Sequence, residues 1–238
     1  DVHPGDNFEG IQWMNIKKLS EEIANFNRQI NNRIELFFFQ NCNKATLEAH
    51  HTLHQTAEYT LSSQTILGAP NYYYERLFQY LANYPELNGR QLAEKIREFE
   101  GSNMYFSYTV TNNRSFSKIP EKINLVIDLI LLSAPPLINL SEIKTYSYMN
   151  EQYVDVLDFF HLITAQTIGD SEKFHDFIEC LNESMIHMVN QESRHTNFSL
   201  SGLGMFFPSN RDEIERYRYL PIYSELRLVE LFNALFLS

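Results

Sequence analysis

Cys42 is the residue of this chain best placed to act as a nucleophile, because it stands between a strand pattern and a helix pattern. The run from Ile34 to Phe39 is apolar except for one glutamate and predicts a strand buried on both faces of a parallel sheet. Helical spacing then covers Ala45 to Thr56. A residue that follows such a strand lies at the carboxyl edge of the sheet, where open α/β folds bind ligands, and a nearby helix N-terminus favours a thiolate. A single cysteine is more often a small core residue, so position alone leaves both interpretations open.

The histidines that follow Cys42 cannot reach its sulfur. His50 lies about 12 Å along the helix axis at about 1.5 Å per residue, whereas a catalytic pair needs contact at about 3 Å. His50 and His54 could share a metal ion, but the glutamate of a His-Glu-x-x-His motif is absent and no third ligand is evident, so no metal or cofactor is predicted. His3, in DVHPGD, precedes Cys42 and is therefore the candidate base that the sequence leaves.

Alternating strand and helix patterns must position these residues. They predict an α/β fold, a three-layer α/β/α sandwich with a mainly parallel sheet, as a single domain over residues 1–238. The predicted helices are Trp13–Ile30, Ala45–Thr56, Tyr73–Leu81, Gly89–Phe99, Pro120–Ser133, Val154–Thr164, Ser171–Val189 and Ser224–Phe236, and the predicted strands are Ile34–Phe39, Glu58–Ser63, Met104–Val110 and Leu203–Phe207.

Composition narrows the class of protein. The net charge of −11 argues against nucleic acid and anionic membranes as partners. No apolar run approaches the ~20 residues that span a bilayer. Cys42 and Cys180 do not suggest a disulfide framework, and Cys180 is predicted to lie in the core. The chain begins at Asp1 without an initiator methionine, which we interpret as either trimming or release by processing.

Three segments resemble motifs of the clostripain family of cysteine peptidases. The stretch FFFQNCNKATLEAHHTLHQTAEYTLSSQ resembles the family's catalytic segment, with Cys42 and Glu48 at matching places. The stretch YVDVLDFF, at 153–160, resembles a Val-Asp-Leu-Tyr-Asp-Phe helix of the family. The stretch SGLGMFFP, at 201–208, resembles its Ser-Gly-Leu-Ser-Ile-Tyr-Phe-Pro strand. Because the three segments occur in the family's order, the resemblance covers most of the chain.

The resemblance implies a caspase-like fold and a Cys–His pair that cleaves peptide bonds, with Cys42 as the nucleophile. It also implies that Gln40, Asn41, Ser63 and Gln64 contribute to substrate binding, and that the protein is secreted or attached to the cell envelope. The family favours a basic residue before the scissile bond. Gln40 and Gln64 stand where the family has carboxylates, and neutral amides cannot pair with Arg or Lys, so basic specificity is expected to be weak.

Two hypotheses of different classes follow from the position of the histidine. The family's catalytic His follows a strand upstream, whereas only two residues precede His3, and Pro4 replaces the family's Gly. Under the first hypothesis, this is the larger chain of a self-processed peptidase, and a smaller companion chain or missing upstream segment supplies the His. Under the second, the domain keeps the fold without the chemistry and serves as a binding or interaction module.

Overall fold

The computed structural model describes residues 15–133, 139–189 and 200–236. The predicted catalytic His3 lies outside these ranges, as does the start of the helix predicted from Trp13. The helices are α1 Ile16–Ile30, α2 Leu47–Leu53, α3 Tyr74–Asn83, α4 Gly89–Phe99, α5 Asn113–Phe116, α6 Ile119–Leu132, α7 Val156–Thr167, α8 Glu172–Ser184, α9 Arg211–Tyr217, α10 Ile222–Glu225 and α11 Leu228–Leu235. The strands are β1 Ile34–Phe38, β2 Ala57–Ser62, β3 Ser107–Asn112, β4 Thr145–Tyr148, β5 Glu151–Asp155, β6 Met185–Val189 and β7 Gly204–Phe206.

A four-stranded sheet in the order β1-β2-β3-β6 forms the centre of the fold. β1 and β2 are parallel, with Leu36 opposite Tyr59, while β3 runs antiparallel to both β2 and β6. Helices α3 and α4 pack on one side, and α5 and α8 contact the sheet within the larger core of the other side. The predicted α/β class with helices on both sides is confirmed, and the sheet that the described residues form is mixed.

The central strands bury polar side chains on one of their two faces. Leu61 and Val110 point to the core formed with α3 and α4. The alternate residues Thr60, Thr109 and Thr111 are at most 1 % exposed. Because side chains alternate across a strand, the same strands carry an apolar face and a hydroxyl-lined face. The hydroxyl-lined face lies beneath the helix that follows Cys42, as the His50–Ser62 hydrogen bond of 2.9 Å demonstrates.

A second, three-stranded antiparallel sheet in the order β4-β5-β7 was not predicted in full. β4 and β5 form a hairpin whose turn residues, Met149 and Asn150, both have positive φ. The predicted helix Val154–Thr164 begins later, since β5 runs to Asp155. The Asp155 carboxylate then accepts hydrogen bonds from the backbone N–H groups of Leu157 and Asp158 and caps α7.

Two further helix predictions are corrected by the structure. The pattern Ser171–Val189 is divided between α8, which ends at Ser184, and strand β6. The apolar residues of β6 are compatible with either structure, and pairing with β3 decides for the strand. The predicted final helix is likewise two helices, α10 and α11. No helix within the described ranges combines the length and the hydropathy needed to cross a bilayer.

Candidate active site

Cys42 lies on the loop that joins β1 to α2, at the carboxyl end of β1. Backbone hydrogen bonds fix this loop to the chain that continues from β2. The N–H group of Asn43 donates to Thr65 O over 2.8 Å, and the N–H groups of Lys44 and Ala45 donate to Ser63 O over 2.9 Å. The cysteine is therefore held on a defined loop, where the sequence placed it relative to strand and helix.

Cys42 is half-buried, whereas Cys180 is buried, and both cysteines are free thiols. Sγ accepts a hydrogen bond from the N–H group of Leu67 at 3.3 Å and lies 3.7 Å from the Leu67 carbonyl oxygen. Tyr148, at the tip of the β4–β5 hairpin, lies near Cys42. Burial, and then the proximity of Cys42, raise the pKa of this tyrosine. Burial raises the pKa of the Cys180 thiol, which fits its position in the core.

The residue after the cysteine makes the chain reverse. Asn43 has a φ of 51°, in the left-handed region that asparagine tolerates better than most residues. Its side chain is 3 % exposed, and neither its amide oxygen nor its amide nitrogen has a hydrogen-bond partner among the described residues. The sequence offered no reason to single this residue out beforehand.

Gln40 and Asn41 have exposed positions on the same loop. The Gln40 side-chain amide donates to the hydroxyl groups of Tyr73 and Tyr74, and its oxygen accepts from the Tyr74 hydroxyl at 2.9 Å. The tyrosines come from the NYYYERLF segment at the start of α3, to which the sequence interpretation gave no role. The structure thus brings Gln40 together with two aromatic residues beside the cysteine.

Ser63 and Gln64, in contrast, have no exposed surface. Gln64 Nε2 donates to Asp155 Oδ2 over 2.9 Å, and Gln64 Oε1 accepts from the N–H group of Gly202 at 2.9 Å. Asp155 also accepts from the N–H group of Ser201 at 2.7 Å, and burial raises the pKa of its carboxyl group. These contacts join the three segments on which the family resemblance depends, and they give Gln64 a structural role in this state of the protein.

Glu48 makes a similar buried connection behind the cysteine. Its carboxylate accepts from the N–H group of Phe206 at 3.0 Å and from the Tyr223 hydroxyl at 3.3 Å. Burial raises the pKa of Glu48 to about 6. The side chain thus joins α2 to β7 and α10, and it stiffens the helix on which the Cys42 loop ends.

The two histidines of α2, and His54 directly after it, each have a partner other than Cys42. His50 is fully buried and its Nε2 atom is 2.9 Å from Ser62 Oγ, and burial lowers its pKa to about 4. His51 contacts the carboxylate of Glu225 at 3.0 Å, and His54 Nδ1 is 2.6 Å from the His51 carbonyl oxygen. In the described part of the chain, no histidine hydrogen-bonds the Cys42 sulfur and no three His, Cys, Asp or Glu residues form a metal-binding group.

A cavity of about 500 Å³ lies elsewhere, against α8, where Glu179 and Glu183 are among its lining residues. None of its lining residues belongs to the loop of Cys42 or to the network around Gln64. The candidate active site is therefore an open surface at the carboxyl end of β1 rather than this cavity.

Solved structures with the same fold are cysteine proteases. A cysteine protease from B. fragilis superposes with a TM-score of 0.65 and 17% identity, over 92% of this chain and 95% of that chain. A clostripain from Bacteroides thetaiotaomicron, in complex with a peptide inhibitor, gives 0.66 and 16%, over 92% and 98%. A secreted C11 cysteine protease of the same organism, with an irreversible peptide inhibitor, gives 0.63 and 19%, over 91% of this chain and 64% of that chain. No protein-family model and no curated protein sequence matches the chain.

The chain therefore has the caspase-like α/β fold of clostripain-type cysteine proteases, as the three sequence motifs predicted. At identities of 16–19% this likeness establishes the fold. The chemistry must be argued from the residues around Cys42.

Proposed function

We propose that this chain is the cysteine-bearing part of a clostripain-type cysteine endopeptidase, with Cys42 as the nucleophile. The observation that carries the proposal is the position of Cys42, a half-buried residue with a free thiol on an anchored loop at the carboxyl end of β1. The fold shared with cysteine proteases supports it. Gln40 and Asn41 are exposed on the same loop and are assigned to substrate contact, while Ser63 and Gln64 act from beneath as the support of that loop.

In this reaction a histidine takes the thiol proton, and the Cys42 thiolate attacks the carbonyl carbon of the scissile bond. A carbon–sulfur bond forms, and the carbonyl oxygen becomes an oxyanion. The histidine then protonates the leaving amine as the carbon–nitrogen bond breaks. Water hydrolyses the resulting thioester and restores the thiol.

The oxyanion requires a hydrogen-bond donor next to the sulfur. The N–H groups of Asn43, Lys44 and Ala45 already donate to backbone carbonyl oxygens. The backbone N–H group of Cys42 has no such acceptor among the described residues. We therefore assign the oxyanion contact to the Cys42 N–H group.

We assign the catalytic histidine to a strand that pairs with β1, supplied by an upstream segment or by a smaller companion chain of the same precursor. In the described part of the chain β1 is a terminal strand of its sheet. Its residues are half-buried or exposed, although the sequence pattern is that of a strand buried on both faces. Phe26 and Ile30, on the helix that leads into β1, are 48% and 45% exposed. An added strand with its apolar neighbours would cover these groups, and His3 is the alternative base.

Expression from the full gene tests this proposal. We expect hydrolysis of an unfolded protein substrate, and we expect Cys42→Ala to reduce the rate by at least about 10³-fold, as loss of a nucleophile does. Cys180→Ala is the matched control and should leave the rate unchanged. His3→Ala separates the two sources of the base, because activity is retained if another segment supplies the histidine and is lost if His3 does.

A catalytically inactive binding module is the second candidate. It is favoured by the neutral amides of Gln40 and Gln64 and by the absence, within the described ranges, of an imidazole beside the Cys42 sulfur. Under this account the full-gene product binds peptides at the exposed loop but does not cleave them, and Cys42→Ala leaves binding intact.

A further inference from the structure

We propose that an exposed aromatic surface beside Cys42 binds the substrate side chain that precedes the scissile bond, and that it selects apolar and aromatic side chains over Lys and Arg. This surface, which we call the aromatic ledge, consists of Tyr74 and Phe78 in the first turns of α3 and Tyr72 just before the helix. The inference rests on the proposed function, because it assigns the side chain next to the bond that Cys42 attacks.

Gln40 connects the ledge to the nucleophile. It is two residues before Cys42, so their Cα atoms are at most about 7 Å apart. The Gln40 amide is hydrogen-bonded to the hydroxyl groups of Tyr73 and Tyr74. The Tyr74 hydroxyl is therefore joined directly to the loop that carries the nucleophile.

The ledge is exposed and ordered by its own packing. Tyr72, Tyr74 and Phe78 are 58%, 42% and 64% exposed. The Tyr74 and Phe78 rings stack with centroids 6.4 Å apart and an interplanar angle of 21°. Leu77, on the inward side of the same helix, is 6% exposed and anchors α3 in the core. Neighbouring exposed aromatic rings favour an apolar or aromatic partner, which removes their surface from water.

The polar groups that border the ledge already have hydrogen-bond partners within the protein. Glu100 is 8% exposed, and its carboxylate already accepts from the N–H group of Tyr72 and from Asn71 Nδ2. Gln40 carries no charge, and its amide is occupied by the tyrosines. Glu75, the carboxylate of α3, is exposed and accepts a hydrogen bond from the Gln79 side chain. It directly follows Tyr74 in the chain, so it borders the ledge at one side. An aromatic face attracts a guanidinium group, but at exposed sites more weakly than it attracts a ring that becomes buried.

Peptide binding to the full-gene Cys42→Ala protein tests the inference without turnover. The probes are acetylated tetrapeptides with three alanines and a final Phe, Leu, Lys or Ala, which mimic the acyl product. We expect the Phe and Leu peptides to bind at least about tenfold more tightly than the Lys peptide. We expect Phe78→Ala to weaken the Phe peptide about fivefold and to leave the Ala peptide unchanged. Leu132→Ala, a truncation of an apolar side chain that is 81% exposed at the end of α6, is the control and should change neither.

A charge change at Gln40 gives the reciprocal test. Gln40→Glu places a carboxylate beside the ledge and should improve the Lys peptide at least about tenfold relative to the Phe peptide. Either of two results would overturn the inference. One is that the protein that retains Gln40 binds the Lys peptide more tightly than the Phe peptide, and the other is that Phe78→Ala leaves binding of the Phe peptide unchanged. Loss of a Lys preference in Glu75→Gln would identify the true acid. Failure of the proposed function would give a different result, because the protein that retains Cys42 would then bind these peptides but would not hydrolyse any substrate.

Discussion

Gln64 and Asp155 are joined by a buried hydrogen bond of 2.9 Å between residues 91 positions apart in the chain. The amide donates to the carboxylate and at the same time accepts from the Gly202 N–H group. The position requires a donor to the Asp155 carboxylate and an acceptor for the Gly202 N–H group, and a neutral amide supplies both. The exchange of the carboxylate of related proteases for an amide therefore has a structural consequence beneath the Cys42 loop, in addition to its effect on charge.

Gln64→Glu should destabilise the protein, and more at pH 8 than at pH 5. A glutamate at this position faces Asp155 at hydrogen-bond distance, so its pKa in the folded state is raised above the unfolded value. Stability is then retained at low pH, where the shared proton completes the hydrogen bond, and is lost as the pH rises. We expect a loss of about 3 kcal/mol at pH 8, as for a broken buried polar pair. Urea unfolding at both pH values measures it, with exposed Gln40→Glu as the control; equal stability of Gln64→Glu and wild type at pH 8 would contradict the expectation.

Acid should destabilise the protein between pH 6.5 and 4, because of buried histidines. Burial lowers the pKa of His50 and of His187 to about 4, from an ordinary value of 6.5. A histidine with a lowered folded-state pKa contributes stability that is present above 6.5 and is lost as the pH falls toward 4. For His50 this amounts to about 3 kcal/mol. Glu48 opposes the trend, since its pKa of about 6 makes it less stabilising as the pH rises, but its shift is smaller.

The measurement is the urea midpoint across pH 4 to 7. His50→Leu should flatten the curve, and His175→Leu, at a residue whose side chain is 63% exposed, should leave the shape unchanged. A wild-type midpoint that is constant over this range would show that both imidazoles protonate without cost in the folded state.

Tyr148→Phe should slow alkylation of Cys42. The Tyr148 hydroxyl lies near Cys42, whose proximity contributes to the raised pKa of the phenol, so this hydroxyl is placed to donate to the attacking sulfur. Removal of one hydrogen bond of about 1 kcal/mol corresponds to an effect of about fivefold on the rate with iodoacetamide at pH 7. Tyr84→Phe, at an exposed tyrosine beyond α3, is the control. A faster reaction would mean that the hydroxyl shields the sulfur instead.

The sequence predicted the strand, loop and helix around Cys42 because these elements are consecutive and strongly patterned. It did not predict the β4–β5 hairpin, since the TYSY and EQYVD stretches are polar and their turn, Met149-Asn150, contains neither Gly nor Pro. It also gave no indication of the hydrogen bond between Gln64 and Asp155, because nothing local reveals that these residues will meet. Contacts at such separation depend on tertiary packing, which no periodicity encodes.

No function was predicted from the sequence for the aromatic residues of the NYYYERLF segment. The predicted helix from Tyr73 was correct, but α3 turns Tyr74 and Phe78 outward and Leu77 inward, so the sequence run NYYYERLF is split between surface and core. The hydrogen bonds from Gln40 to Tyr73 and Tyr74 span 33 and 34 positions. A tyrosine-rich run gave no indication that one of its faces would border the nucleophile.

The most direct test of the central claim is site mapping of a peptidyl affinity label. The full-gene protein is incubated at pH 7 with an equal mixture of Phe-ending and Lys-ending peptidyl acyloxymethyl ketones, so that the outcome does not depend on specificity, and the modified residue is found by peptide mass spectrometry. The account predicts one saturable modification, at Cys42, with Cys180 unlabelled and no label in Cys42→Ala. Protection of Cys42, or equal modification of Cys42 and Cys180 without saturation, would contradict it.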